Sequence, residues 1–92
     1  MSEFEGRVVV ITGAASGIGR ALAVDLAGRG AALALSDVDT VGLAETARLA
    51  SSLGAEVKSD HLDVTQREAV YAYAEAVVAR FGKVNQLYNN AG

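Results

Sequence analysis

With 92 residues, a hydrophobic fraction of 51% and a net charge of −3, the chain has apolar material for one compact core, and not for two. It has no cysteine, which excludes a disulfide framework and a thiolate metal site, and its eight Lys and Arg stand singly, which leaves no basic footprint for nucleic acid. No apolar run approaches the roughly 20 residues of a membrane span, and the acidic start Met1-Ser2-Glu3-Phe4-Glu5 lacks an apolar signal core, so the expectation is a cytoplasmic protein without a membrane partner.

After this polar lead-in, Arg7 to Ile11 reads as a buried parallel strand, because such a strand is covered on both faces and loses polar alternation. Thr12-Gly13-Ala14-Ala15-Ser16-Gly17-Ile18-Gly19 follows, so three glycines fall at a strand-to-helix turn. Gly13 suits a turn with positive φ, Gly17 allows backbone to approach a ligand, and Gly19 allows the helix to pack closely on the strand. The unpaired N–H groups of the first helical turn then face an anion, and the expected anion is a pyrophosphate. The plain alternative is a βα turn with no ligand.

A helix is predicted from Ser16 or Gly17 to about Arg29, with Ile18, Ala21, Leu22 and Leu26 on its apolar face and Arg20, Asp25 and Arg29 towards water. Gly30 ends it in the left-handed conformation. Ala31 to Ser36 is strand two, with Asp37 just past its carboxyl end. Asp39 or Thr40 caps a second helix whose face of Leu43, Ala47, Ala50 and Leu53 runs to Gly54. Strand three lies within Ala55 to Leu62, and its alternating Glu56, Lys58 and Asp60 suit a sheet edge. Thr65-Gln66-Arg67-Glu68 fits a capping box. The helix from Gln66 to about Phe81 carries Val70, Tyr73, Ala74, Val77 and Phe81 on one side, Gly82 stops it, and Val84 to Tyr88 is strand four.

The sum is an α/β chain, β-α-β-α-β-α-β, with parallel strands joined by right-handed crossovers. The doubly wound, Rossmann-type rule gives strand order 3-2-1-4, with the reversal between strands one and four. The glycine turn and the closing Asn89-Asn90-Ala91-Gly92 then flank one crevice at the carboxyl ends.

The glycine spacing, an acid at Asp37 close to 20 residues beyond the glycines, and Asn89-Asn90-Ala91-Gly92 together resemble the short-chain dehydrogenase/reductase family of the classical type, over about Gly6 to Gly92. The resemblance implies NAD as cofactor and an alcohol or ketone as substrate. It implies roles for Gly13, Ser16, Gly17, Ile18 and Gly19 at pyrophosphate and ribose, Asp37 at the adenosine ribose hydroxyls, Asp63 and Val64 at adenine, and Asn90 at the floor of the site. Members that prefer NADP carry a basic residue where this chain has Ser16 or Val38, which favours NAD.

Each assignment has a structural rival. Asp37 can serve the start of the helix near Asp39, Asp63 can make a local turn, and Asn90 can simply turn the chain. Thr65 is assigned to capping alone. His61, with no second ligand at metal spacing, reads as structural or solvated, so no metal is expected. Tyr71 and Tyr73 have no Lys four residues on, and Asn85, Gln86 and Tyr88 occupy strand-four positions that are commonly aliphatic in the family.

The family's catalytic Tyr, Lys, Ser and further Asn lie beyond Asn-Asn-Ala-Gly, so no catalytic residue maps onto these 92 residues. The expectation is therefore the incomplete NAD-binding domain, residues 1–92, of a longer oxidoreductase, inactive alone and homo-oligomeric in the parent. A noncatalytic dinucleotide-binding or assembly module is the alternative, and an S-adenosylmethionine methyltransferase half is a further rival that the Asn-Asn-Ala-Gly disfavours.

Overall fold

The computed structural model describes residues 4–91, so Met1, Ser2 and Glu3 of the polar lead-in and Gly92 lie outside the described residues. Four strands and three helices alternate: β1 (Val8–Thr12), α1 (Gly17–Gly28), β2 (Ala32–Asp37), α2 (Thr40–Ser52), β3 (Val57–His61), α3 (Arg67–Phe81) and β4 (Gln86–Asn89). The strands form one sheet in the order β3-β2-β1-β4, and every neighbouring pair is parallel.

Strand alternation divides the apolar residues between the two faces. Val9, Ile11, Leu33 and Leu35 join Ala23, Leu26 and Ala27 of α1 and Leu43 and Ala50 of α2 in one buried cluster. Val8, Val10 and Ala34 meet Val77 of α3 in a second, with Tyr73 and Phe81 partly buried against it. Both faces of β1 and β2 are thus covered, which is why their sequences lack polar alternation. β3 lies at the edge, where Lys58 and Asp60 form an ion pair at 2.9 Å.

Several local expectations change. The buried stripe of α1 is Gly19, Ala23, Leu26 and Ala27, which leaves Ile18 exposed at 76% and turns Arg20 inward along the flank facing α2. In α2 the buried residues are Leu43, Thr46 and Ala50, while Leu53 falls at the C-cap and is exposed. Thr65 does not cap α3. Its hydroxyl and its N–H both donate to Asp63 Oδ1, at 2.7 and 2.9 Å, so the N-cap is Gln66, without a side-chain cap among the described residues. A local turn captured the hydroxyl that the capping box required.

β2 extends one residue further than expected and ends on Asp37. β4 begins at Gln86, two residues late. Asn85 explains the delay and the polar residue there: its Oδ1 accepts from Val8 N at 2.8 Å while its own N–H donates to Val8 O at 2.9 Å. A carboxamide therefore closes the amino end of the β1–β4 ladder.

Candidate functional site

The carboxyl ends of β1, β2, β3 and β4 put the sequence-predicted residues along one margin of the sheet. Gly13 leaves β1 with φ +69°, and a Cβ there would approach Ala91 N to 2.9 Å. Gly19 is tighter, because a Cβ would overlap the Gly13 carbonyl. Gly17, with φ +57°, has nothing within 4 Å of a notional Cβ. Gly13 thus makes the expected turn and Gly19 the expected close packing of helix on strand, while Gly17 faces open space.

Ser16 is the N-cap of α1, yet its side chain makes no cap hydrogen bond among the described residues. Ser16, Gly17 and Ile18 are all exposed. Helix geometry leaves the N–H groups of the first turn without intrahelical acceptors, so this exposed corner offers backbone donors and a hydroxyl to an anion.

Asp37 ends β2 half-buried, and its carboxylate is already oriented. Oδ2 accepts from Ala15 N at 2.9 Å, and Oδ1 accepts from Asp39 N at 3.0 Å. The first contact joins the acid to the glycine turn, and the second joins it to the start of α2, where Asp39 Oδ1 accepts from Gly42 N at 3.0 Å as the N-cap. The contact with Asp39 N is the helix-start role that rivals a ligand role for Asp37. Each oxygen receives one of these donors and retains acceptor capacity for others.

At the reversal point, Thr12 Oγ1 donates to Asn89 Oδ1 at 2.9 Å and accepts from Asn90 N and Ala91 N at 3.0 and 3.2 Å. Asn90 Nδ2 donates to Gly13 O at 3.1 Å. Asn90 thus braces the glycine turn. Asp63 and Val64 follow β3, and Leu62 N donates to Asp37 O at 3.1 Å, which keeps this segment beside the acid. The Thr65 hydroxyl, then its N–H, hold the Asp63 carboxyl below the usual carboxylate range.

Val64 lines a groove of about 330 Å³ with Leu62, Val70, Tyr73 and Leu87. Burial pushes the Tyr73 hydroxyl up to about 12, an effect reduced by the nearby Ser36 hydroxyl and increased by Asp60. Neither Tyr73 nor Ser36 has a hydrogen-bond partner of good geometry among the described residues. Tyr73 is a packing residue, Tyr71 is exposed with Arg67 5.8 Å from its ring centroid, and Tyr88 packs against the α1/α2 cluster. His61 is exposed, and among the described residues no cluster of three or more His, Cys, Asp or Glu could hold a metal. Among the described residues no helix is long and apolar enough to cross a membrane.

Sequence reasoning missed Arg20, Gly42 and Thr46. Arg20 does not face water: its Nε donates to Thr46 Oγ1 at 2.9 Å, and one terminal nitrogen donates to Ala15 O and Gly42 O at 2.7 and 2.9 Å. A Cβ on Gly42 would come within 2.8 Å of Ala15 O. A glycine inside a predicted helix was the available signal of close backbone approach.

With this geometry in place, the sequence pattern of the short chain dehydrogenase family matches residues 7–92. The chain belongs to the short-chain dehydrogenase family. SadH of Mycobacterium tuberculosis is 71% identical over 92 residues, covering 100% of this chain and 33% of SadH. Levodione reductase of Leifsonia aquatica is 45% identical, over 99% of this chain and 35% of the reductase. The crystal structure of NAD+-bound xylitol dehydrogenase superposes with a TM-score of 0.96 at 41% identity, over 99% of this chain and 35% of that one. The chain thus spans about a third of the length of these short-chain dehydrogenase relatives.

Proposed function

We propose that the chain is the NAD-holding portion of an oxidoreductase that interconverts an alcohol and a ketone, and that this portion alone is inactive. The observation that carries the reading is the hydrogen bond between Ala15 N–H and Asp37 Oδ2, because it joins the glycine turn directly to the acid at the end of β2. Bound there, NAD would supply the hydride acceptor. Ser16, Gly17, Ile18 and Gly19 would hold the pyrophosphate and adjoining ribose at the N-terminus of α1, with Gly13 forming the turn that leads into it. Asp37 would accept from the adenosine ribose hydroxyls and repel a 2′-phosphate, Asp63 and Val64 would meet adenine, and Asn90 would keep the floor in place.

The names of levodione reductase and xylitol dehydrogenase support the ketone and alcohol sides of the reaction. The relatives' length supports a larger protein in which residues 1–92 are the cofactor-binding part; a cytoplasmic homo-oligomer is the accompanying proposal for that protein. The test is titration of the protein with its full natural sequence. NADH is expected to bind at least tenfold more tightly than NADPH, the scale of losing a charge-assisted contact and gaining repulsion. Equal affinity for the two would remove the Asp37 assignment, and binding of neither would remove the reading as a whole.

A further inference from the structure

We propose that Arg20 is a positioning residue that sets the preference for NADH over NADPH, an inference that rests on the cofactor reading above. The geometry centres on Ala15, which is 1% exposed in the middle of the glycine turn. Its N–H donates to Asp37 Oδ2 at 2.9 Å, and its carbonyl accepts from Arg20 at 2.7 Å. One residue of the turn is therefore held at both ends, by the acid in front of it and by the cation behind it.

The same guanidinium nitrogen donates to Gly42 O at 2.9 Å, and Nε donates to Thr46 Oγ1, itself fully buried and donating to Gly42 O at 3.2 Å. The planar fork of Arg suits several acceptors at fixed angles, which a flexible ammonium cannot reproduce. Gly42 and the Asp39 cap belong to the first turn of α2, and Asp39 N–H holds the other oxygen of Asp37. Both donors to the Asp37 carboxylate are thus fixed relative to one another through Arg20. Without it, Ala15 and the α2 N-terminus would be free to move apart, and the carboxylate would lose the orientation that favours two ribose hydroxyls and opposes a phosphate.

Titrating NADH and NADPH into the protein of full natural sequence and into its Arg20→Ala variant tests this. The expected result is that the NADPH-to-NADH ratio of dissociation constants falls about tenfold, with NADH binding weakened more than NADPH binding. Arg20→Lys, which keeps the charge and loses the fork, should recover only part of the ratio. Thr46→Val removes one of the three contacts and should lower the ratio by about threefold, which keeps the test available if Arg20→Ala does not fold. An unchanged ratio, or equal weakening for both nucleotides, would overturn the positioning role. Absence of NADH binding by the unsubstituted protein would instead overturn the cofactor reading itself.

Discussion

On the side of α1 and α2, Val9, Ile11, Leu33 and Leu35 are each 0% exposed, whereas on the side of α3 Leu87 is 62% and Val78 49% exposed. Both faces have apolar residues to bury: α1 and α3 carry them at helical spacing, and β1 is apolar from Val8 to Ile11. What separates them is coverage. Two helices packed on each other close the first face, and α3 alone leaves the groove beside Leu62, Val64 and Leu87 on the second. Amphipathicity states which stripe of a helix is apolar, and only the neighbours decide how much of it is buried. Ala15, Asp37 and Arg20, linked by hydrogen bonds, lie against the closed side, whereas Thr12 with its three hydrogen bonds lines the groove of the open one.

The comparison is broken most severely at Gly19, where the closed face is tightest. Gly19→Ala should cost about 4 kcal/mol or more, because the new methyl meets backbone that cannot rotate away. Thermal unfolding would show it as a large fall in Tm or as failure to fold. Next, Leu35→Ala should cost about 3 kcal/mol through the cavity it leaves, and Leu87→Ala on the open face less than about 1 kcal/mol. Denaturant titration of the pair measures the asymmetry directly. Similar losses would mean that something covers the α3 face of the protein in solution.

The caps give a smaller contrast. Asp39→Ala removes a side-chain cap and should cost about 1 kcal/mol, whereas Thr65→Val, at a residue that caps nothing, should change unfolding by less than about 0.5 kcal/mol. Its effect belongs in a titration. The Asp63 carboxyl lies below its ordinary value of 3.8, so its contribution is present above the unfolded pKa and lost as pH falls through the lower folded one. Removing the Thr65 hydroxyl should move the Asp63 titration up towards 3.8 in an NMR pH series. No movement would show that the hydroxyl is not its main support.

The strand order and the site margin were legible because they depend on features confined to a few neighbouring residues. Gly30, Gly54 and Gly82 end helices with positive φ, and alternating strands and helices admit few parallel topologies. Arg20 and Thr65 were read wrongly for one reason. The spacing of a polar side chain does not show which acceptor lies opposite once helices pack or a turn forms. Arg20 found two carbonyls and a hydroxyl on another helix and turn, and Thr65 found the carboxylate two residues before it. Asn85, expected within strand four, lies one residue before β4, where its carboxamide extends the ladder. The family resemblance supplied the remaining role assignments, which local spacing alone left open.

Thr12 has one proton to give and two lone pairs to offer, and all three are in use: the proton goes to Asn89 and the lone pairs receive Asn90 N–H and Ala91 N–H. A valine of nearly the same shape would fill the space and break three hydrogen bonds at once. The heading of the backbone as it leaves β4 is therefore set largely by the valence of one oxygen, with Asn90 Nδ2 on Gly13 O as its one side-chain companion among the described residues, and apolar packing has no means of specifying it.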